Sequence, residues 1–342
     1  MTNVRGWVIA AAVFAAAFLI WNVLAAALSS LLLLFTAILL AAGLRPAVVA
    51  ANKRMPFGAA VGAVFGTALI VFVVLGFLLF QPLGVELGKL IDALPGYASA
   101  LQDQLAAAQR WIESDQTARQ VATVLANSAS SAASYFGPFL LGGPRLVATI
   151  IGDTVLILLL AVGWMLSGAD LQRFTLSLIP PHARTDWSNA LSEIGTKLSA
   201  YVQGVVLNGA VVGVAMGITV AVLGVPYALL LAFVSAVFQA IPMIGGVISG
   251  PIILLVVLAT SGWTKMIVAM IVFIVVQIID SNVLSPIIFG QRVQLSFLLI
   301  ILSTVIGGTL LGIAGAFLAV PAAAVLQVLM VRIVAPAIRR AH

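Results

Sequence analysis

Residues 266–289 read MIVAMIVFIVVQIIDSNVLSPIIF, a long apolar run with a single ionisable side chain, Asp280, inside it. The hydrocarbon core of a bilayer is about 30 Å thick, and a helix needs about 20 mostly apolar residues to cross it. This stretch therefore predicts a membrane-spanning helix. Apolar runs also fill most of the chain on either side, so the sequence predicts an all-α, polytopic membrane protein with about eight spans.

The composition supports the same class of protein. Hydrophobic residues make up 63% of the 342 residues and charged residues 8%, and the mean hydropathy is +1.24. A soluble domain is about one quarter charged. The formal net charge is +6, but most basic residues lie between apolar runs, where they orient a membrane protein. We therefore expect membrane lipid and a small-molecule or ion substrate as partners, and no nucleic acid.

The apolar runs and the polar stretches between them divide the chain into regions. The first run, 6–24, imitates a cleavable signal peptide, but a second run follows at once and favours a transmembrane hairpin. The predicted regions are N-terminal transmembrane helices at 1–82, a non-cytoplasmic amphipathic segment at 83–145, a transmembrane helix at 146–167, a cytoplasmic interfacial helix at 168–200, a C-terminal transmembrane core at 201–332 and a cytoplasmic tail at 333–342. Basic residues are concentrated on the side that this topology makes cytoplasmic, so both termini are expected there, in a bacterial or archaeal inner membrane.

The polar segment after Pro82 carries apolar residues at intervals of three or four, including Leu87, Leu90, Leu94 and Tyr97. That spacing predicts helices that pack on another surface. Pro82 is expected to end the third span, and Pro95-Gly96 to divide the segment into two helical pieces. The surface that they contact is either the outer face of the same chain or a second copy, which would make a homo-oligomer through 83–143 and the membrane helices.

Two apolar stretches in the C-terminal half are predicted to fold as broken helical hairpins, at 226–261 and 295–331. As one helix, the second would be about 55 Å long, which is too long for one crossing. The residues expected to break the helices are Pro242, Gly245 and Gly246 in the first hairpin and Gly307, Gly308, Gly312, Gly315 and Pro321 in the second. Such breaks in two corresponding places indicate a transport site, although glycines also allow close helix packing.

The candidate site lies on the span between these breaks. An ionisable residue inside a membrane costs free energy and usually faces the bundle interior or an aqueous cavity. The candidate residues for binding an ion, a proton or polar substrate groups are Gln277, Asp280, Ser281, Asn282 and Pro286. The alternative is that they join helices by hydrogen bonds. Asp153 is a secondary candidate, and the alternative there is a position near the membrane surface.

The sequence contains no recognisable catalytic or metal-binding motif. It has no Gly-x-x-x-x-Gly-Lys-Ser/Thr run, no Cys, and no His pair spaced for a metal. We therefore expect neither an enzyme nor a cofactor or metal.

Four motifs, in this order, resemble those of a known family. They are GVPYAL at 224–229, IPMIG at 241–245, DSNVLSP at 280–286 and GIAGAFLAVP at 312–321. The chain resembles the autoinducer-2 exporter family, also called PerM-like permeases, over nearly its whole length. The resemblance implies an inner-membrane transporter, with export of autoinducer-2 in some members and sodium–proton exchange in others. The chain departs from the family at Asp280, where the pattern commonly has Glu.

The sequence thus predicts a secondary transporter that exports a small polar solute or signalling molecule, with or without coupling to protons or sodium. A Na⁺/H⁺ antiporter, a passive channel and a membrane scaffold that does not transport are the alternatives.

Overall fold

The computed structural model describes residues 28, 30–112, 143–241, 245–285, 295–336 and 338. Within those ranges the secondary structure is helical, with no strand. The helices are α1 (Ser30–Ala51), α2 (Phe57–Ile112), α3 (Gly143–Ser177), α4 (Arg184–Val222), α5 (Ala228–Phe238), α6 (Gly245–Ile279) and α7 (Phe297–Leu329). A 3₁₀ turn at Pro181–Ala183 precedes α4, and π-helical turns follow α6 at Asp280–Leu284 and α7 at Met330–Val334.

Among the described residues, six stretches of helix are long and apolar enough to cross a bilayer. They are Ser30–Ala51, Phe57–Ala93, Gly152–Ser177, Pro181–Val222, Gly245–Leu284 and Leu298–Val334, and the short apolar helix α5 joins them. The polytopic all-α class predicted from the sequence is confirmed. The first predicted run, 6–24, lies outside the described residues.

The first three helices pack on one another through small side chains. Ala37 and Ala41 of α1, Ala60 of α2 and Ala161 of α3 belong to one buried cluster, in which Phe65 of α2 is the large member. Small residues let helix backbones approach closely in a membrane, where dispersion contacts and not exclusion from water drive association.

The prediction that Pro82 ends the third span is wrong, as is the division at Pro95-Gly96, because α2 continues through both to Ile112. A proline removes one backbone donor from a helix, and the preceding residues can stay helical if other contacts support them. The regular apolar spacing beyond Pro82 favours continuation.

The cytoplasmic interfacial helix predicted at 168–200 is not a separate element. α3 extends to Ser177, and after the break at Pro180-Pro181 the next residues begin α4, which then continues as a span. Part of this stretch is nevertheless packed inside the protein, since Leu198 is buried with Leu39 of α1 and Leu318 of α7.

The first predicted hairpin is formed by α5 and the beginning of α6. Gly245 follows the loop and lies against the end of α5, so that a Cβ there would overlap the carbonyl of Phe238 and come 2.8 Å from Cα of Gln239. At Gly262, with φ 82° and ψ 178°, α6 kinks. We call the two arms α6a (245–261) and α6b (263–279). Pro242 lies outside the described residues.

The second predicted hairpin is α7, which reverses at Gly312, where φ is 63° and ψ is −145°. Its arms are α7a (297–311) and α7b (313–329). Gly307 and Gly315 touch backbone to backbone, since a Cβ on either would overlap the carbonyl oxygen of the other. Gly308 has more room, with Ala316 Cβ at 3.7 Å from a built Cβ. Pro321, predicted as a break, lies inside α7b and does not interrupt it.

Candidate functional site

Asp280 is the one charged residue among the buried side chains of the described residues, with 7% of its surface exposed. It begins the π-helical turn that follows α6b. π-helical turns inside α-helices often occur at functional sites. A carboxylate buried at this depth needs hydrogen-bond donors or a compensating charge.

Three polar side chains supply hydrogen bonds to this carboxylate. Gln239, just after α5, donates from Nε2 to Oδ2 of Asp280. Asn208 of α4 also hydrogen-bonds the carboxylate. Ser285, the residue just after the π turn, donates from Oγ to Oδ1 at 3.3 Å. Asp280 thus joins α4, the end of α5 and its own turn.

Two of these partners, Asn208 and Gln239, also have side-chain oxygens that do not bond to Asp280. Asn208 Oδ1 and Gln239 Oε1 are buried and have no hydrogen-bond partner among the described residues. Asn208 is only 3% exposed and Gln239 only 5%. An unpaired buried polar atom costs about 1–3 kcal/mol, so these two carbonyl oxygens beside a carboxylate call for a ligand, a cation or ordered water.

Two serines extend the polar region between α5 and α6a. Ser235 and Ser249 are fully buried, and their hydroxyls likewise lack a partner among the described residues. The two helices are antiparallel, with Phe238 against Gly245 at the loop and Leu231 and Ile253 in one cluster further along. That register places Ser235 and Ser249 at the same level, one turn from the loop.

Gln277, one turn before Asp280, meets the first hairpin at Gly246. A Cβ on Gly246 would overlap Gln277 Oε1 and lie 2.7 Å from its Cδ. Glycine at this position therefore leaves room for the Gln277 amide. The Nε2 of Gln277 is a buried donor that has no partner within the described part of the chain. Gly245 and Gly246 lie in the first turn of α6a and both allow close approach, which was the alternative to a helix break.

Ser281 and Asn282 are exposed, whereas Asp280 is buried. Asn282 Nδ2 donates to the carbonyl of Ile278 at 2.9 Å, and Ser281 Oγ donates to the same carbonyl at 3.2 Å. Both side chains bond to their own helix and lie away from the carboxylate. Pro286 lies outside the described residues. Asp153 is exposed on α3.

Tyr201 of α4 connects the two hairpins. Its hydroxyl donates to the carbonyl of Phe317 in α7b at 3.1 Å and to that of Ala240 after α5 at 3.4 Å. Phe317 is four residues before Pro321, which has no N–H to give it, so the proline frees this carbonyl within the helix. Pro321 therefore supplies a bonding position instead of a break.

Sequence reasoning missed Asn208, Ser235, Gln239 and Ser249. Asn208 and Gln239 are amides inside or beside apolar runs, and their cost in a membrane was a usable signal. The serines carried little signal, because a hydroxyl can bond back to its own helix.

Comparison with known proteins agrees with this architecture. The family model described as the AI-2E family transporter matches residues 8–335. The chain belongs to the AI-2E transporter family. A relative is YrrI of Bacillus subtilis, a candidate transport protein by name, which is 35% identical over 171 residues, or 50% of this chain and 48% of YrrI.

Of two other relatives of this AI-2E family chain, one has a lower identity and the other matches a smaller part of the chain. MT0215 of Mycobacterium tuberculosis, also named as a candidate transport protein, is 26% identical over 69% of this chain and 66% of its own length. PerM of Escherichia coli, a candidate permease by name, is 32% identical over 40% of this chain and 38% of its own. The chain thus spans about half the length of the first curated relatives it matches, 48% of YrrI and 45% of YueF. It is a multi-pass membrane protein of a transporter family.

Proposed function

We propose that this protein is a secondary transporter that exports a small polar solute, such as a signalling molecule of the autoinducer-2 type, with Asp280 at its binding site. The observation that carries the proposal is the buried carboxylate where the first hairpin meets α6b, next to amide oxygens that have no partner among the residues the structure describes. In membrane transporters, helix breaks and intramembrane carboxylates mark substrate and ion sites.

The chemistry of the site supports coupling to a cation. Asp280 can hold a proton, or it can contribute a negative charge to a cation site with the oxygens of Asn208, Gln239, Ser235 and Ser249. Carboxylate, carbonyl and hydroxyl oxygens are the ligands that hard cations prefer. The same oxygens favour a second candidate function, Na⁺/H⁺ antiport, in which the ion is the cargo.

We also propose that both termini are cytoplasmic in a bacterial or archaeal inner membrane. Contacts at one end of the bundle support this orientation. Arg332 donates to Glu193 at 2.8 Å, Lys197 donates to Gln327 at 3.2 Å, and Arg45 lies 3.3 Å from a Cβ built on Gly195. Arg45, Lys197 and Arg332 are thus at the same end, and basic residues concentrate on the cytoplasmic side.

The orientation is tested with single cysteines, because the chain has no Cys of its own. In intact cells, a thiol reagent that cannot cross membranes should label Lys265→Cys and leave Lys53→Cys unlabelled. Labelling in the reverse pattern would contradict the orientation.

The transport proposal is tested by flux into proteoliposomes, with candidate cargos supplied with and without an imposed proton or sodium gradient. Asp280→Asn should abolish the response of flux to the gradient, since the amide cannot exchange a proton and carries no charge. The matched control is Asp153→Asn, which changes an exposed carboxylate on α3 and should transport like the wild type.

The outcomes separate the candidate functions. Accumulation of solute against its gradient supports the transporter, and sodium movement driven by protons without solute supports the antiporter. Flux that only equalises concentrations indicates a passive channel, and no flux of any cargo indicates a scaffold. Normal gradient-driven flux in Asp280→Asn removes this carboxylate from the mechanism.

A further inference from the structure

α4 and α5 are in backbone contact along one stripe of glycines. A Cβ on Gly213 would lie 2.6 Å from Ala236 Cβ and 2.9 Å from the carbonyl of Ala232, and a Cβ on Gly209 would lie 2.7 Å from the carbonyl of Ala236. Gly217 meets Ala232 in the same way, at 2.7 Å. Helices that interlock this closely cannot slide past each other without separating. α4 and α5 therefore move as one unit.

The N-terminus of α5 in this unit is held by a helix from outside it. Glu86 of α2 accepts a hydrogen bond at Oε2 from the backbone N–H of Leu230, at 2.8 Å. The first N–H groups of a helix lack partners within the helix and usually take a side chain close in sequence. In α5 the N-cap residue, Tyr227, provides no such bond. A carboxylate 144 residues away provides it.

Two tyrosines make a second contact between the same two parts. The hydroxyls of Tyr97 on α2 and Tyr227 are 2.9 Å apart, and their rings meet edge to face with centroids 6.4 Å apart. Tyr227 also donates to the carbonyl of Lys89 at 3.5 Å. Tyr227 has a backbone φ of 66°, a value that residues other than glycine rarely adopt. Such strained backbone persists only where the surroundings impose it, and here those surroundings include α2.

We propose that Glu86, Tyr97 and Tyr227 form a releasable latch between α2 and the α4–α5 unit, which is closed in this structure and opens once in each transport cycle. The contacts suit release because they are hydrogen bonds and one edge-to-face ring contact, unlike the backbone contacts between α4 and α5. Opening also lets Tyr227 leave its strained conformation. The part of the proposal that concerns the cycle rests on the transport function proposed above.

A distance measurement tests whether these groups hold the closed state, without any need for flux. Spin labels at Val85→Cys on α2 and Phe233→Cys on α5 occupy exposed positions, in a chain with no other cysteine. With Glu86→Ala and Tyr97→Phe combined, the ratio of long to short distances in lipid nanodiscs should rise about tenfold, because a charge-assisted bond is lost.

Matched variants keep this measurement specific. Glu86→Gln retains an acceptor oxygen and should keep most of the short distance. A label pair at Phe72 and Leu159, on α2 and α3, should give the same distances in every variant. If the distances from 85 to 233 are also the same in every variant, Glu86 and Tyr97 do not hold the closed state and the latch is refuted.

Cross-linking tests whether the latch must open. The double variant Tyr97→Cys, Tyr227→Cys, joined through two disulfides by a bifunctional methanethiosulfonate reagent, should lose flux and regain it when a reductant cleaves the disulfides. Each single variant should have the same flux with and without the reagent. Wild-type flux in the cross-linked protein would overturn the proposal. If the wild type moves no cargo at all, the proposed function fails, and the distance measurement still decides whether Glu86 and Tyr97 hold the closed state.

Discussion

Adding a methyl group at Gly307 tests the fold of α7 directly. In the hairpin, a Cβ there would overlap the carbonyl oxygen of Gly315 and lie 2.9 Å from both Gly315 C and Ala319 Cβ. At the adjacent Gly308, the nearest atom to a built Cβ is Ala316 Cβ at 3.7 Å, an ordinary contact. Gly307→Ala and Gly308→Ala thus make the same chemical change one residue apart in two different surroundings.

The expected difference follows from two opposed effects. Alanine is favoured over glycine inside a helix by about 1 kcal/mol, and both variants gain this. Only Gly307→Ala overlaps backbone, and overpacking of this kind costs about 1–3 kcal/mol. Gly308→Ala should therefore be more stable than Gly307→Ala by about 1–3 kcal/mol. With an unfolding entropy of about 2.1 cal/mol/K per residue, this corresponds to about 1.5–4 °C in Tm for this chain.

The assay is thermal unfolding of both variants and the wild type in the same detergent, at one scan rate, since membrane proteins often unfold irreversibly. Gly307→Ala should unfold at a lower temperature than Gly308→Ala. If α7 were one straight helix, Gly307 and Gly315 would lie about 12 Å apart. Both substitutions would then be tolerated alike, so equal unfolding temperatures would refute the hairpin.

Two further predictions concern the site and the junction between the hairpins. Gln239→Leu removes a donor to Asp280. A hydrogen bond to a charged group contributes about 1.5–3 kcal/mol, so this variant should need about 10- to 100-fold more cation or cargo for half-maximal flux. The control Gln203→Leu, which alters an exposed amide of α4, should leave this concentration unchanged. Tyr201→Phe should lower stability by about 1–3 kcal/mol, and less when combined with Pro321→Ala, which restores an N–H to the carbonyl that the hydroxyl serves; additive losses would contradict this account of the proline.

The apolar patterns predicted the helices well and their ends poorly. The interruption after α5 was predicted from Pro242 and the glycines that follow it. The reversal in α7 was predicted because an apolar run too long for one crossing must fold back where glycines permit it. The ends at Pro82 and Pro95 were wrong, because a proline weakens a helix locally, while contacts from other helices decide whether it continues.

The site was predicted in part, for a geometric reason. Asp280 could be identified from the sequence alone, since a carboxylate within an apolar run costs free energy in a membrane. Ser281 and Asn282 were grouped with it because they are neighbours in sequence, yet successive residues on a helix point in different directions. Its partners Asn208 and Gln239 come from distant parts of the chain, and only the packing of α4, α5 and α6b brings them together.

The hydroxyl of Tyr201 has one proton and two carbonyls within reach, one belonging to each hairpin. It cannot serve both fully at once. If one hairpin moves away from α4, the hydroxyl can donate to the carbonyl of the other hairpin alone. The number of hydrogen bonds then stays the same while the two hairpins shift relative to each other. A small displacement there exchanges one partner for another and leaves no buried donor empty, which makes the junction between the hairpins easy to rearrange without being loose.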